Sequence, residues 1–245
     1  MKQRKKLWIG LICTALAILL PLGGCALFVC DYHPANTAAI AAMAQGDGVP
    51  VRALDGGNIA YGNADATCAL IFYPGGKVEH TAYEPLLRAL AARGMLCILI
   101  KMPLRLAFLD MNAADGIKEQ FPAVTHWYIG GHSLGGSIAA SYLAKHVTEF
   151  DGLILLASYS TADLSGHDLR ALSLVGSEDG VLNRESYTNN RANLPTGTTE
   201  LEIAGGNHAY FGAYGAQKGD GTATLSLQQQ ITFSADSIAA FMKGE

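Results

Sequence analysis

The chain has 245 residues, half of them hydrophobic, with 28 glycines and a formal net charge of −4. Lys2, Arg4, Lys5 and Lys6 put four positive charges into the first six residues, so the remainder carries −8. An acidic body of this kind argues against nucleic acid as a partner, because phosphate binding needs a basic surface. The length beyond the N-terminal segment, about 210 residues, suits one domain.

The basic cluster precedes an uncharged apolar run from Leu7 to Cys30. At a rise of about 1.5 Å per residue this run reaches across a hydrocarbon core of roughly 30 Å. Pro21 and Gly23-Gly24 do not forbid spanning. Residues 1–30 therefore read first as an uncleaved membrane anchor. The alternatives are a cleaved, secretory signal peptide and a lipoprotein signal, in which Leu22-Gly23-Gly24-Cys25 resembles a lipobox. All three readings put the rest of the chain on the extracytoplasmic side of the cell membrane, since the basic end stays inside. Residues 31–48 are Ala-rich and predict a short helix or tether, and residues 49–245 a single folded domain.

From Val49 the pattern alternates. Short apolar runs predict strands at 49–54, 58–62, 68–73, 95–101, 126–131, 152–158, 170–175 and 199–204. Several are apolar at nearly every position, as a parallel sheet covered on both faces requires. Between them lie helical patterns. Residues 81–94 set Tyr83, Leu86, Leu87, Leu90 and Ala91 on one face and stop at Gly94. Residues 137–146 and 234–243 are the others, the last with Ser234 as its expected cap. The alternation implies βαβ units. The link between strands 152–158 and 170–175 is too short for an inserted lid, and the longer connections 102–125 and 205–233 are the expected pocket walls. Cys68 and Cys97 sit inside apolar runs and read as buried small hydrophobes. No CxxC or Cys/His cluster indicates a metal.

Gly131-His132-Ser133-Leu134-Gly135 matches G-x-S-x-G. A Ser on a sharp strand-to-helix turn needs small neighbours, because adjoining Cβ atoms would clash. The motif comes after an apolar strand and precedes an Ala-rich helix, so Ser133 is the candidate nucleophile. The helix N-terminus and the Leu134 N–H would stabilise a developing oxyanion. A base and an orienting acid should come later in the chain, in the order acid, then His. Asp179, just past strand 170–175, is favoured as the acid over its neighbour Glu178. His208 is the only His beyond it and the expected base. The other histidines carry no partner pattern, and His132 fills the variable slot of the motif. A second oxyanion donor is expected in Tyr73-Pro74-Gly75-Gly76-Lys77, from Gly76 or Lys77. Lys77, Lys101 and Arg105 put basic groups near the same sheet edge, and Lys101 and Arg105 are candidate contacts for an anionic part of a substrate.

On YPGGK after a strand, GGHSLGG at the turn, GSEDG and GGNH, the chain from 49 to 245 resembles the α/β-hydrolase superfamily. Its lack of a lid resembles the dienelactone-hydrolase-like branch, although that branch uses Cys where this chain has Ser133. The resemblance implies an α/β-hydrolase fold: a mostly parallel eight-stranded sheet with helices on both faces and no lid domain. It implies hydrolysis of a carboxylic ester, or a related acyl bond, of a small-molecule substrate through an acyl-enzyme, without a cofactor. An amidase, peptidase or acyltransferase would use the same residues. An inactive binding module on the same scaffold is the alternative from another class.

Overall fold

The computed structural model describes residues 28–244 and, before them, Ala17, Leu19, Gly23 and Gly24. The chain divides into two units, Met1–Tyr32 and His33–Glu245. The described residues of the first unit up to Cys30 are helical. Most of the apolar run 7–30 lies outside the described residues, among which no helix is long and apolar enough to cross a membrane.

The second unit is built on one eight-stranded sheet: β1 (Val51–Ala53), β2 (Ile59–Tyr61), β3 (Cys68–Tyr73), β4 (Leu96–Leu99), β5 (His126–His132), β6 (Gly152–Leu156), β7 (Arg170–Gly176) and β8 (Thr199–Ile203). Their spatial order is β1-β2-β4-β3-β5-β6-β7-β8. The pairs β1–β2 and β2–β4 are antiparallel and every other pair is parallel. Each strand falls within two or three residues of its expected run.

The continuous apolar run Cys68–Tyr73 results from burial on both faces. Leu70 and Phe72 join one core with Leu86, Leu87 and Leu90 of helix α2 (Glu84–Ala91) and Ile231, Ile238 and Phe241 of helix α5 (Leu227–Lys243). Ala69, Ile71 and Tyr73 point the other way, to Ala139, Ala140 and Leu143 of helix α3 (Leu134–Leu143). Of the expected stripe, Leu86, Leu87 and Leu90 of α2 and Tyr83 just ahead of it are fully buried, each leucine contributing roughly 1.5–3 kcal/mol, and Ala91 is half-buried against the same core. A short helix, α4 (Arg184–Asn189), capped by the Asn183 side chain, fills the β7–β8 connection. The link 157–169 between β6 and β7 holds no helix and no lid. Cys68 and Cys97 are free thiols, and burial pushes the Cys68 thiol up to about 11.

Two expectations change. Helix α5 begins seven residues before Ser234 and is capped by Ser226, whose Oγ accepts the Gln229 N–H while Gln229 Oε1 accepts the Ser226 N–H. This is a capping box; the polar first turn, Leu227–Gln230, dilutes the apolar period that would have revealed it. Ser234 is buried within the helix.

The stretch expected as a short helix or tether does form a helix, and it is packed onto the domain. His33 donates its N–H to the Lys77 carbonyl at 2.7 Å and accepts from the Glu79 N–H at 2.9 Å. Ala35 N–H reaches Glu79 Oε2 at 2.9 Å, and Asn36 N–H the Ala213 carbonyl at 2.7 Å. Helix α1 (Thr37–Ala44), capped by Asn36, buries Ile40. These four bonds, at about 0.5–1.5 kcal/mol each, lead to a direct expectation. Removing residues 1–48 lowers the thermal midpoint by at least about 5 °C, whereas removing 1–30 leaves those bonds in place and the midpoint near that of the full chain. Equal midpoints for the two truncations, measured by calorimetry or circular dichroism, would contradict the packing.

Candidate active site

Strand β5 delivers the chain to Ser133 at the carboxyl edge of the sheet. Ser133 adopts φ 52° and ψ −126°, a sparsely populated region for a residue with a side chain. Its N–H donates to the Leu156 carbonyl at 2.9 Å, and its own carbonyl accepts the Ser158 hydroxyl at 2.7 Å. A Cβ on Gly131 would overlap the Tyr73 carbonyl, and one on Gly135 the carbonyls of Tyr73 and Pro74. The glycines thus let the turn close down on the end of β3. Helix α3 starts at Leu134, so its unpaired first-turn N–H groups adjoin Ser133.

Asp179 lies in the turn after β7 and His208 in the loop after β8. His208 Nδ1 donates to Asp179 Oδ2 at 2.9 Å, with side chains 2% and 0% exposed. The second oxygen, Oδ1, accepts the N–H groups of Val181 at 2.9 Å and Leu182 at 2.8 Å. Burial alone would raise the Asp179 carboxyl. The His208 bond and charge and the two N–H groups outweigh it and hold the group below its ordinary value. An ionised carboxylate only accepts, so it fixes the Nδ1–H tautomer and leaves Nε2 as the acceptor. Glu178 is exposed, and its carboxylate accepts the Ser177 hydroxyl.

Ser133, Leu134 and His208 line one cavity of about 250 Å³. Its other walls come from Ala157–Tyr159 and Val181–Asn183, not from the connection 102–125. That connection walls a second cavity of about 370 Å³, bounded by Pro74, Glu79, His80, Lys101 and Arg105. The two basic residues therefore stand around a different hollow from the one that holds Ser133. A larger cavity, about 900 Å³, lies at the opposite edge, where strands begin at Cys68, His126 and Arg170. Of its charged groups, His126 pairs with Asp151, and Arg170 with Tyr128 and the Phe241 carbonyl.

The oxyanion candidates separate as well. Lys77 N–H donates to the Arg105 carbonyl at 2.9 Å, so it has no hydrogen to offer a substrate. The expectation of Gly76 or Lys77 narrows to Gly76. Its N–H makes no bond among the described residues, and its α-carbon faces the Leu134 side chain.

Sequence reasoning missed one pair. Tyr83 Oη accepts the Gly75 N–H at 3.0 Å and bonds to His132 Nδ1 at 2.8 Å. The His132 ring lies 4.4 Å from that of His208 and 5.5 Å from Phe211, centroid to centroid. Burial, then the charge of His208, pushes His132 well below the usual imidazole range. The pair joins the Gly75-Gly76 loop, the Ser133 turn and the His208 loop. Nothing in the spacing signals it, because Tyr83 also fits the apolar stripe of α2. Tyr83→Phe leaves Gly75 N–H and His132 Nδ1 buried without partners, which costs about 1–3 kcal/mol. Urea unfolding measures this, and an unchanged midpoint with an unchanged slope would contradict the pair.

A model of the alpha/beta hydrolase family matches residues 69–232. No curated protein matches the chain. Among solved structures it is similar to an esterase of Pyrobaculum calidifontis in its monoclinic form, at 14% identity and a TM-score of 0.55, over 83% of this chain and 90% of that one. At that identity the likeness is one of fold. The family match spans more than half of the sequence and takes in the sheet from β3 to β8, the Ser133 turn and the Asp179–His208 pair: the chain belongs to the alpha/beta hydrolase family.

Proposed function

We propose that the protein hydrolyses carboxylic esters of small acids through an acyl-enzyme on Ser133. The observation that carries this reading is the buried Asp179–His208 hydrogen bond beside the cavity that Ser133 lines. His208 Nε2 takes the Ser133 proton as Oγ attacks the acyl carbon. Asp179 holds the tautomer and stabilises the imidazolium. The N–H groups of Leu134 and Gly76 receive the oxyanion. The alcohol leaves with the proton from His208. Water then attacks the acyl-enzyme, gives its proton to His208 and releases the acid, with Ser133 reprotonated. No step needs a cofactor. The fold of the Pyrobaculum calidifontis esterase is consistent with ester chemistry on this scaffold.

The size of the cavity narrows the substrate. About 250 Å³ is below the roughly 300–1,000 Å³ typical of small-molecule pockets, which favours acetyl to butyryl groups over long chains. Ser133→Ala and His208→Ala are expected to lower kcat/KM by about 10⁴–10⁶ while the protein stays folded. Asp179→Asn should cost about 10⁴ through the wrong tautomer. On a p-nitrophenyl ester panel, acetyl and butyryl should exceed decanoyl by at least about tenfold. Near-normal turnover in folded Ser133→Ala or His208→Ala would overturn the mechanism, and a decanoyl preference the acyl pocket.

We infer further that residues 7–30 hold the enzyme at the cell membrane with the domain on the extracytoplasmic side. The support is the basic cluster ahead of the apolar run. Membrane-fraction enzyme should be cut by protease added to intact cells. A domain protected until the membrane is opened would contradict this topology.

A further inference from the structure

Asp220 sits in the segment between His208 and α5, and no motif singles it out. Its carboxylate collects N–H groups from both sides of the candidate pair. Oδ1 accepts from His208 N–H at 3.2 Å, from Gly180 N–H at 3.2 Å and from Gly221 N–H at 2.9 Å. Oδ2 accepts from Ala209 N–H at 2.8 Å. Gly180 comes directly after Asp179, so one side chain spans from the loop of the acid to the backbone of the base.

The surroundings leave that span little freedom. A Cβ on Gly180 would overlap the Gly219 carbonyl, and one on Gly221 the Glu178 carbonyl. Residues 219–221 and 178–180 therefore run backbone against backbone. Asn207, next to His208, ties into the same segment by donating Nδ2–H to the Gly221 carbonyl at 2.9 Å. Asn207 is itself held by Gln230 of α5, which accepts its N–H at 3.0 Å and donates to its carbonyl at 2.8 Å.

A carboxylate is suited to this position by its chemistry. Four donors converge, and a group that only accepts satisfies them all. The isosteric amide would turn an NH₂ toward at least one of them and leave a backbone N–H without a partner. The His208 ring hangs from the backbone that Asp220 grips on two successive N–H groups. The hydrogen bond from Nδ1 to Asp179 tolerates little displacement, since it weakens steeply once its angle opens.

We propose that Asp220 is a positioning residue: it fixes the separation of the His208 and Asp179 loops and so sets the geometry of the hydrogen bond between them. The proposal rests on reading His208 as the base.

Asp220→Asn tests it, with Asp220→Ala as the stronger lesion. Each is compared with the full-length protein by three readouts: the thermal midpoint, the kinetics of p-nitrophenyl acetate hydrolysis, and the far-downfield proton resonance of the His208 Nδ1–H bonded to Asp179, assigned by its loss in His208→Ala. The expected result for folded Asp220→Asn is a kcat reduced about ten- to a hundredfold, as a small misplacement of a catalytic group produces. KM should stay within about threefold, and the downfield resonance should be shifted or lost. A lowered midpoint with kcat and the resonance unchanged would overturn the proposal and leave Asp220 a purely structural residue. If both substitutions prevent folding, Asn207→Ala, which frees the same segment from the other side, is read in the same way, and an unchanged resonance and kcat again overturn it. The resonance does not depend on turnover. Failure of the ester mechanism would show in Ser133→Ala, whereas failure of the Asp220 role would show in the resonance.

Discussion

The site depends on a backbone that is held where a residue with a side chain does not readily go. Ser133 stands at φ 52°, a conformation that costs of order 1–3 kcal/mol and persists only where its surroundings over-determine it. Here they do so in two ways. Hydrogen bonds fix the peptide on both sides, through the Leu156 carbonyl and the Ser158 hydroxyl. Gly131 and Gly135 let the turn sit directly on the carbonyls that end β3, with no room for a Cβ. Gly130 in β5 is pressed equally closely against the Ile154 carbonyl of β6. The placing of Ser133 in the cavity lining and of the helix N-terminus beside it is a consequence of this packing.

The same edge of the sheet brings in the other groups. Parallel strands release their loops on one side, so the chain after β3, β5, β7 and β8 supplies Gly76, Ser133, Asp179 and His208 in turn. Polar satisfaction orders these loops together with the apolar packing of Ala209, Phe211 and Tyr214. Asp179 engages the N–H groups of its own turn, Tyr83 ties the Gly75 N–H to His132, and Gln230 clamps Asn207. Each of these buried groups is costly to strip of its partner, which makes the network a source of rigidity at the point where rigidity serves chemistry.

The strands were legible because a doubly covered parallel sheet demands nearly unbroken apolar runs, and CALIFY or GLILL can satisfy little else. Ser133, Asp179 and His208 were nameable because chain order and position at strand ends restrict the choices, and His208 had no competitor downstream. The contacts that tune the site were not legible. Tyr83 reads as core in any helical projection, and its hydroxyl bond to His132 is a tertiary event. Lys77 and Gly76 cannot be told apart without the Arg105 carbonyl that engages one of them. The Ala-rich stretch after residue 30 has too little apolar pattern to reveal that His33, Ala35 and Asn36 bind the domain through backbone groups. The pocket walls at Ala157–Tyr159 and Val181–Asn183 come from short loops, where length alone pointed to the longer ones.

The most direct test of the account is to trap the intermediate. The full-length protein is mixed with a slowly deacylating short-chain ester, quenched in acid within one turnover and digested for mass spectrometry. An acyl adduct is expected on Ser133, absent from His208→Ala treated in the same way. Turnover with no adduct on Ser133, or with the acyl group on another residue, would contradict it.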